Sequence, residues 1–232
     1  MVLNWVKNRI TLHDAGQEEI DKVFDFLRSE DGEVDFNNII SMPAELVDSE
    51  AGSETNTSWE YYQAKEFGDY TEIDKHFAYP WIKLEGIKTR DELLDFFLKL
   101  KPDIYEYGKY LHELDERYGY HDWYGWSCAH WGVECNACDG RRSGNIIVFE
   151  TADRGVPRLM LMVSEKFPEV TMDYEFADED FGYNTARYTF SAGIVMAAYE
   201  PVDNTIESRQ LAKSILGWEP PVDFDEDTDD VA

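Results

Sequence analysis

Cys128, His130, Cys135 and Cys138 stand in the spacing C-x-H-x4-C-x2-C, four soft donors within eleven residues. Thiolate and imidazole ligands of this kind can gather a Zn²⁺ ion tetrahedrally. The spacing is compressed, however, and the sequence holds no second ligand pair of the sort most zinc modules use. If Trp131 to Cys138 forms a strand, side chains alternate with period two, so Cys135 and Cys138 point to opposite faces. The same parity argues against CxxC redox chemistry, which needs its thiols at a helix start. The expectation is three reduced, buried cysteines and no cofactor, with the zinc set as the competing reading.

A second group is polar and aromatic. Asn4, Trp5, Asn8 and Arg9 near the start, with Trp126, Trp131 and Asn136, fall on what read as neighbouring strands and their edges. Asn side chains supply directional hydrogen bonds and Trp supplies area, so Asn4, Trp5, Trp126, Trp131 and Asn136 are candidate lining of a ligand pocket. The competing reading has the asparagines satisfying backbone groups at loop junctions and the tryptophans filling the core. A third group is the run of aromatics that includes Tyr61, Phe77, Tyr79, Trp81, Tyr107 and Trp123, which is either the core of a helical segment or a surface that meets a protein.

Signatures of the common enzymes are missing. There is no phosphate loop ending in Lys-Ser/Thr, no G-x-G-x-x-G, no H-E-x-x-H (His112-Glu113 lacks the second His) and no G-x-S-x-G. The acidic DFDEDTDD lacks the central Gly and closing Glu of a calcium loop. With 49 acids in the chain, some carboxylate pair is close by numbers alone and signals nothing about acid and base catalysis.

The elements that position these residues follow from periodicity. Val2–Leu12 reads as a strand; Ile20, Val23, Phe24 and Leu27 recur at helical spacing over Gln17–Arg28, behind a capping box of Asp14 and Gln17. Phe36–Ile40 reads as short and extended, and the polar residues 44–58 as an exposed loop. A short helix capped by Thr57 or Ser58 is expected to run through Phe67, a second behind the Thr89/Glu92 capping box, and a third over Ile104–Tyr118, ending at Gly119. Strands are expected at about 131–139 and at Asn145–Glu150, then a helix through Val156, Leu159, Met160 and Val163. Val170–Phe176 and Arg187–Ile194 alternate as a hairpin, and Asn204 and Glu207 frame a last helix to Gly217.

Set in order, these elements predict an α+β chain: a ferredoxin-like split βαβ sandwich with an added C-terminal strand and a large helical insertion over about 36–125. One domain is expected over 1–218, because the insertion has no strands of its own, with an acidic disordered tail at 219–232. The chain holds 21 Lys and Arg, for a net charge of −28, and the tail accounts for only seven of the acids. A surface so acidic repels phosphate, so neither direct nucleic-acid binding nor adsorption to anionic membrane is expected. It serves either as a solvated face that maintains solubility or as a decoy offered to the phosphate-binding groove of another protein. No apolar run reaches membrane-span length and no signal core follows the N-terminus, so the expected location is the cytoplasm.

Four segments then become recognisable: NWVKNRITL (Asn4–Leu12), DFNNIISMPAEL (Asp35–Leu46), HWGVECNA (His130–Ala137) and TADRGVPRLMLMVSEKFPEVTMDYEF (Thr151–Phe176). Together they resemble the YubB ferredoxin-like family, domains of unknown function found in phage and plasmid proteins. Cys135 stands where that family usually has an aromatic. The resemblance implies the fold and a mobile-element origin, and it carries over no catalytic residue. The functional expectation is a non-enzymatic protein that binds a protein partner, basic and of a nucleic-acid-handling kind. The alternative is a small-ligand protein or enzyme with a pocket around Trp126, Trp131 and Asn136.

Overall fold

The computed structural model describes residues 4–30 and 32–218, so the acidic tail at 219–232 lies outside the described residues. The chain is α+β, and its described residues divide into two compact units, one of those up to residue 41 and from residue 128 onward, the other of residues 42–127.

The first unit is built on strands β1 (Trp5–His13), β2 (Cys138–Ser143), β3 (Ile146–Ala152), β4 (Thr171–Asp178), β5 (Ala186–Ser191) and β6 (Ile194–Tyr199). They form one sheet in the order β2-β3-β1-β4-β5-β6, with every neighbouring pair antiparallel. The opening strand is central, with Asn8 opposite Phe149 on one side and Phe176 on the other. Strict alternation decides which face it buries: Val6, Asn8, Ile10 and Leu12 point one way and are covered, while Lys7 and Arg9 point the other.

Helices α1 (Gln17–Leu27) and α8 (Pro157–Lys166) cover the Asn8 face. Phe26 of α1 meets Phe167, just past α8, at 5.4 Å between ring centroids, and Tyr174 of β4 accepts the amide of Val156 at the start of α8. Helix α9 (Ile206–Leu216) covers the other face: Leu211, Ala212 and Ile215 pack on Ala177, and Lys7 and Arg9 donate to the carbonyls of Leu216 and Ser214 near its C-terminal end. Those two cations meet the negative end of a helix dipole. Arg9 and Arg187 also grip the buried Glu175 between them across three strands.

Several expectations fail here for local reasons. Gly16, not Asp14, precedes α1, and Asp14 instead takes a left-handed turn at φ 61°. Phe36–Asn38 is a 3₁₀ turn and not a strand, because the Asp35 carboxylate accepts the Asn37 amide as a cap. Residues 131–137 form no strand: Gly132 sits at φ 83° and the Asn136 side chain takes the amides of Phe36 and Ala137, so β2 starts only at Cys138. The parity argument about Cys135 and Cys138 therefore lapses. Arg187–Ile194 is not one strand but β5, a two-residue turn and β6, since Ala192 and Gly193 both have positive φ (50° and 73°). This is the turn geometry that matches strand twist. Two strands, not one, thus follow β4. The last helix is capped by Thr205 with Ser208, not by Asn204 and Glu207.

The second unit holds α2 (Ala44–Val47), α3 (Ser53–Tyr62), α4 (Pro80–Leu84), α5 (Arg90–Leu100) and α6 (Ile104–Tyr118). Helix α7 (Trp123–His130) follows on the chain. The polar stretch 44–58, expected as a loop, is thus largely helical. Thr57 and Ser58 do not cap: their hydroxyls donate to the carbonyls of Ser53 and Glu54 one turn back, as interior helix residues do. Helix α3 continues as a π turn to Phe67, and Ile73–Ala78 is 3₁₀. The Thr89/Glu92 capping box starts α5, and Gly119 in the left-handed region ends α6, both as read from the sequence. This unit has a core of its own, with Tyr61, Ile73, Ile82, Leu93, Phe97 and Ile104 at its centre. Among the described residues no helix is long and apolar enough to cross a membrane.

Candidate functional site

The sequence candidates fall in separate places. Asn4 and Trp5 open β1, where the Asn4 amide donates to Asp153, its side chain to Asp180, and the Trp5 amide to Glu179. Trp131 and Asn136 both bind the 35–40 segment: the indole donates to the Ile40 carbonyl at 2.9 Å and lies edge-on to Phe36, while the Asn136 side chain spans Asp35, Phe36 and Ala137. Trp126 lies in α7 and is buried. Each of these polar contacts closes a loop or a strand end.

Of the zinc candidates, Cys128 and His130 end α7, Cys135 lies in the following loop and Cys138 opens β2. Among the described residues, the donor atoms that come within 4.8 Å of one another belong to Cys138, Asp139 and Glu150, so of the four sequence candidates only Cys138 takes part. Burial raises the Cys138 thiol to about 11, helped by the carboxylates of Asp139 and Glu150, and raises Cys135 in the same sense. Both are therefore protonated at neutral pH in the metal-free chain, which suppresses their nucleophilic chemistry. With a disulfide reagent at pH 8, the exposed Cys128 is expected to react first and Cys138 last, the thiolate fraction of Cys138 being about a hundredfold below that of an ordinary thiol. Mass mapping of the labelled peptides measures that order.

The second unit offers a cavity of about 580 Å³. Its walls come from α3, the 3₁₀ turn 73–78, α4, α5 and the start of α6. Pro80 at the first position of α4 fixes the backbone there, and the rings on either side of it, Tyr79 and Trp81, stack nearly parallel (10°) with centroids 6.3 Å apart. Both residues are about half exposed, at 48% and 43%. Trp81 also lies edge-on to Phe97 of α5, deeper in the wall.

Two carboxylates face this space. Glu54 is neutralised by Lys101 at 2.5 Å, which it holds in the charged form, and the ammonium also lies over the Tyr107 ring. Glu60 is different. Its side chain is only 15% exposed; one oxygen meets His76 Nε2 at 2.7 Å, and the other has no protein donor among the described residues. His76 is wedged edge-on between Tyr79 and Phe97, and its Nδ1 is buried without a hydrogen-bond partner. A half-buried carboxylate with one oxygen open to solvent, in a cavity with aromatic rings, attracts a cation by charge and by ring quadrupole together. The hydroxyls of Thr57 and Ser58, which also line the cavity, donate to backbone carbonyls of their own helix.

Sequence reasoning did not single out Glu60 and His76, because sixteen residues and a π turn separate them. The readable signal was Tyr-Pro-Trp at 79–81, since a proline at a helix start flanked by aromatics fixes both rings at an exposed end.

No family model matches the chain, and no curated protein matches it. One solved structure aligns with it, that of protein api92 from Yersinia pseudotuberculosis, described under the family model DUF1281. That alignment covers 88% of this chain and 100% of the other at 9% identity, with a TM-score of 0.43, too low to carry an argument about fold or function.

Proposed function

We propose that this chain is a non-enzymatic protein-binding protein whose partner is basic, and that the cavity of the second unit receives a cationic side chain of that partner. The observation that carries the reading is Glu60: a half-buried carboxylate with one oxygen unclaimed by the described residues, lining the same cavity as the half-exposed rings of Tyr79 and Trp81. A guanidinium group satisfies both features, stacking flat on a ring while its edge donates to the carboxylate. The net charge of −28 supports it, since long-range attraction brings a basic partner to the site and turns phosphate away.

The antiparallel order β2-β3-β1-β4 supports the ferredoxin-like reading of the first unit, with β5 and β6 added. With it we propose membership of the YubB ferredoxin-like family and an origin in a phage, plasmid or integrated element. On this reading the protein works in the cytoplasm, without direct contact with nucleic acid or membrane, on a nucleic-acid-handling protein.

Calorimetric titration of the full chain with an oligo-arginine peptide tests the proposal. Saturable binding is expected at about 0.05 M salt, weakened at least tenfold at about 0.5 M, where the Debye length falls to a few ångströms. Trp81→Ala and Glu60→Gln are each expected to weaken it about tenfold. Binding as strong in the two variants as in the wild type, or none in the wild type, would refute the proposal.

A further inference from the structure

The cavity that Glu60 lines has a neighbour. A second cavity of about 320 Å³ lies among Asp48, Glu50, Asp103, Tyr107 and Tyr110, all within the second unit, and Lys101 lines both spaces. Lys101 shows how this part of the fold holds a cation. Its ammonium meets Glu54 at 2.5 Å and lies 4.5 Å from the centre of the Tyr107 ring, so a carboxylate and an aromatic ring grip it together. Glu54 above all, with Asp103 and Tyr107 behind it, outweighs partial burial and keeps that ammonium charged. The same two features recur in the second cavity. Asp48, Glu50 and Asp103 bring three carboxylates, and among the described residues none of them accepts a hydrogen bond or forms an ion pair. Tyr107 and Tyr110 bring two rings, stacked at 22° with centroids 6.3 Å apart, and Tyr110 is 40% exposed.

Geometry selects the kind of cation. A metal ion needs its ligand atoms to converge, and among the described residues the three donors that come within 4.8 Å of one another are those of Cys138, Asp139 and Glu150, none of them here. Carboxylates spread around aromatic rings suit an organic cation, whose charge sits on a flat group or at the end of an apolar stem. A volume of about 320 Å³ is at the small end of ligand cavities, enough for one long side chain.

We infer that the second cavity receives a second basic side chain of the same partner segment, so that the partner is recognised by a pair of basic residues, an extension that rests on the first cavity taking a cation. Lys101, which borders both spaces, is already neutralised by Glu54, so two incoming cations do not meet an uncompensated third. Linkage makes the pair effective. Once one side chain is seated, the other is held near its own cavity at a local concentration on the order of millimolar, so a subsite too weak to bind alone still tightens the whole segment.

Calorimetric titration of the full chain with two peptides of equal length tests the inference, one carrying a single arginine and the other two. The spacer between the two arginines is varied up to about six residues, each spanning at most about 3.5 Å. At the best spacing the two-arginine peptide is expected to bind at least about tenfold tighter than the other. Asp48→Asn, Glu50→Gln and Asp103→Asn together should erase that advantage and leave the one-arginine affinity within about twofold. Asp25→Asn, Glu169→Gln and Glu207→Gln, three exposed carboxylates of the first unit, remove the same charge and should keep the advantage. Tyr110→Ala, which removes a ring and no charge, should weaken the two-arginine peptide alone, by about fivefold. All four cavity positions are exposed, so these variants should keep the wild-type circular dichroism and melting temperature. No advantage at any spacing, or an advantage that survives the cavity triple variant, would overturn the inference. Failure of the first-cavity reading looks different: the one-arginine peptide would then be indifferent to Glu60→Gln.

Discussion

Asn8→Ala is expected to destabilise the first unit by about 3–5 kcal/mol, a large part of the 5–15 kcal/mol that holds a typical domain folded. Asn8 is fully buried in the central strand, and its side chain bonds two other side chains and one backbone carbonyl. Its amide nitrogen donates to the Val6 carbonyl (2.9 Å) and to Thr151 Oγ1 (2.8 Å), and its oxygen accepts the Tyr174 hydroxyl at 2.5 Å. Tyr174 in turn accepts the Val156 amide, and Thr151 donates to the Arg154 carbonyl. The network therefore ties β1, β3 and β4 to the turn that launches α8.

Alanine leaves the Tyr174 hydroxyl without an acceptor and Thr151 without a donor. Each buried orphan costs about 1–3 kcal/mol, and a small void adds about 1 kcal/mol. Burial already raises the Tyr174 phenol far above its ordinary value, so ionisation offers it no escape. Tyr174→Phe should cost somewhat less, and the double variant less than the two costs summed, because both substitutions break the same bond. Urea denaturation of the three variants measures all of this; a cost below about 1 kcal/mol for Asn8→Ala would mean the network is dispensable.

Gly108→Ala is expected to destabilise the second unit by about 2–3 kcal/mol, opposite in sign to what helix propensity alone would give. Within a helix, alanine is favoured over glycine by about 1 kcal/mol. Gly108, however, lies where α6 crosses α3, and a Cβ there would come within 2.1 Å of the Ser58 carbonyl oxygen and 2.7 Å of Tyr62 Cβ. These are backbone and near-backbone atoms, so no side-chain rotation relieves the clash and the helices must part. Parting them disturbs α3, which carries Glu60. Amides of α3 and α6 should therefore exchange faster in the variant, and a variant as stable as the wild type would contradict the close crossing.

Elements governed by strong local chemistry were legible in the sequence. The alternation in β1 and β4, the spacing of Ile20, Val23, Phe24 and Leu27, the Thr89/Glu92 box and the Gly119 stop each specify one structure through neighbouring residues alone. What stayed hidden depended on distant partners. Residues 131–137 look like a strand by composition, yet Asn136 and Trp131 give their hydrogen bonds to the 35–40 segment, a hundred residues away. The break in the last hairpin was obscured because alanine at φ 50° replaces the Asn, Asp or Gly usual in such a turn. The helix through Phe67 was expected, but the first turns of α3 from Ser53 were missed because its serines and threonines bond back to their own helix. For the same reason the candidate site could not be assembled from sequence: Glu60 and His76 meet only when α3 and the 3₁₀ turn pack together.

The most direct test of the cationic-side-chain reading is a double-mutant cycle. Oligo-arginine and its neutral citrulline counterpart are titrated against the wild type and against Glu60→Gln. Because citrulline keeps the shape and loses the charge, the coupling isolates the contact between guanidinium and Glu60. The expected result is a coupling of at least about 1.5 kcal/mol, with arginine preferred only while Glu60 is present. An arginine preference that is the same with and without Glu60 would contradict it.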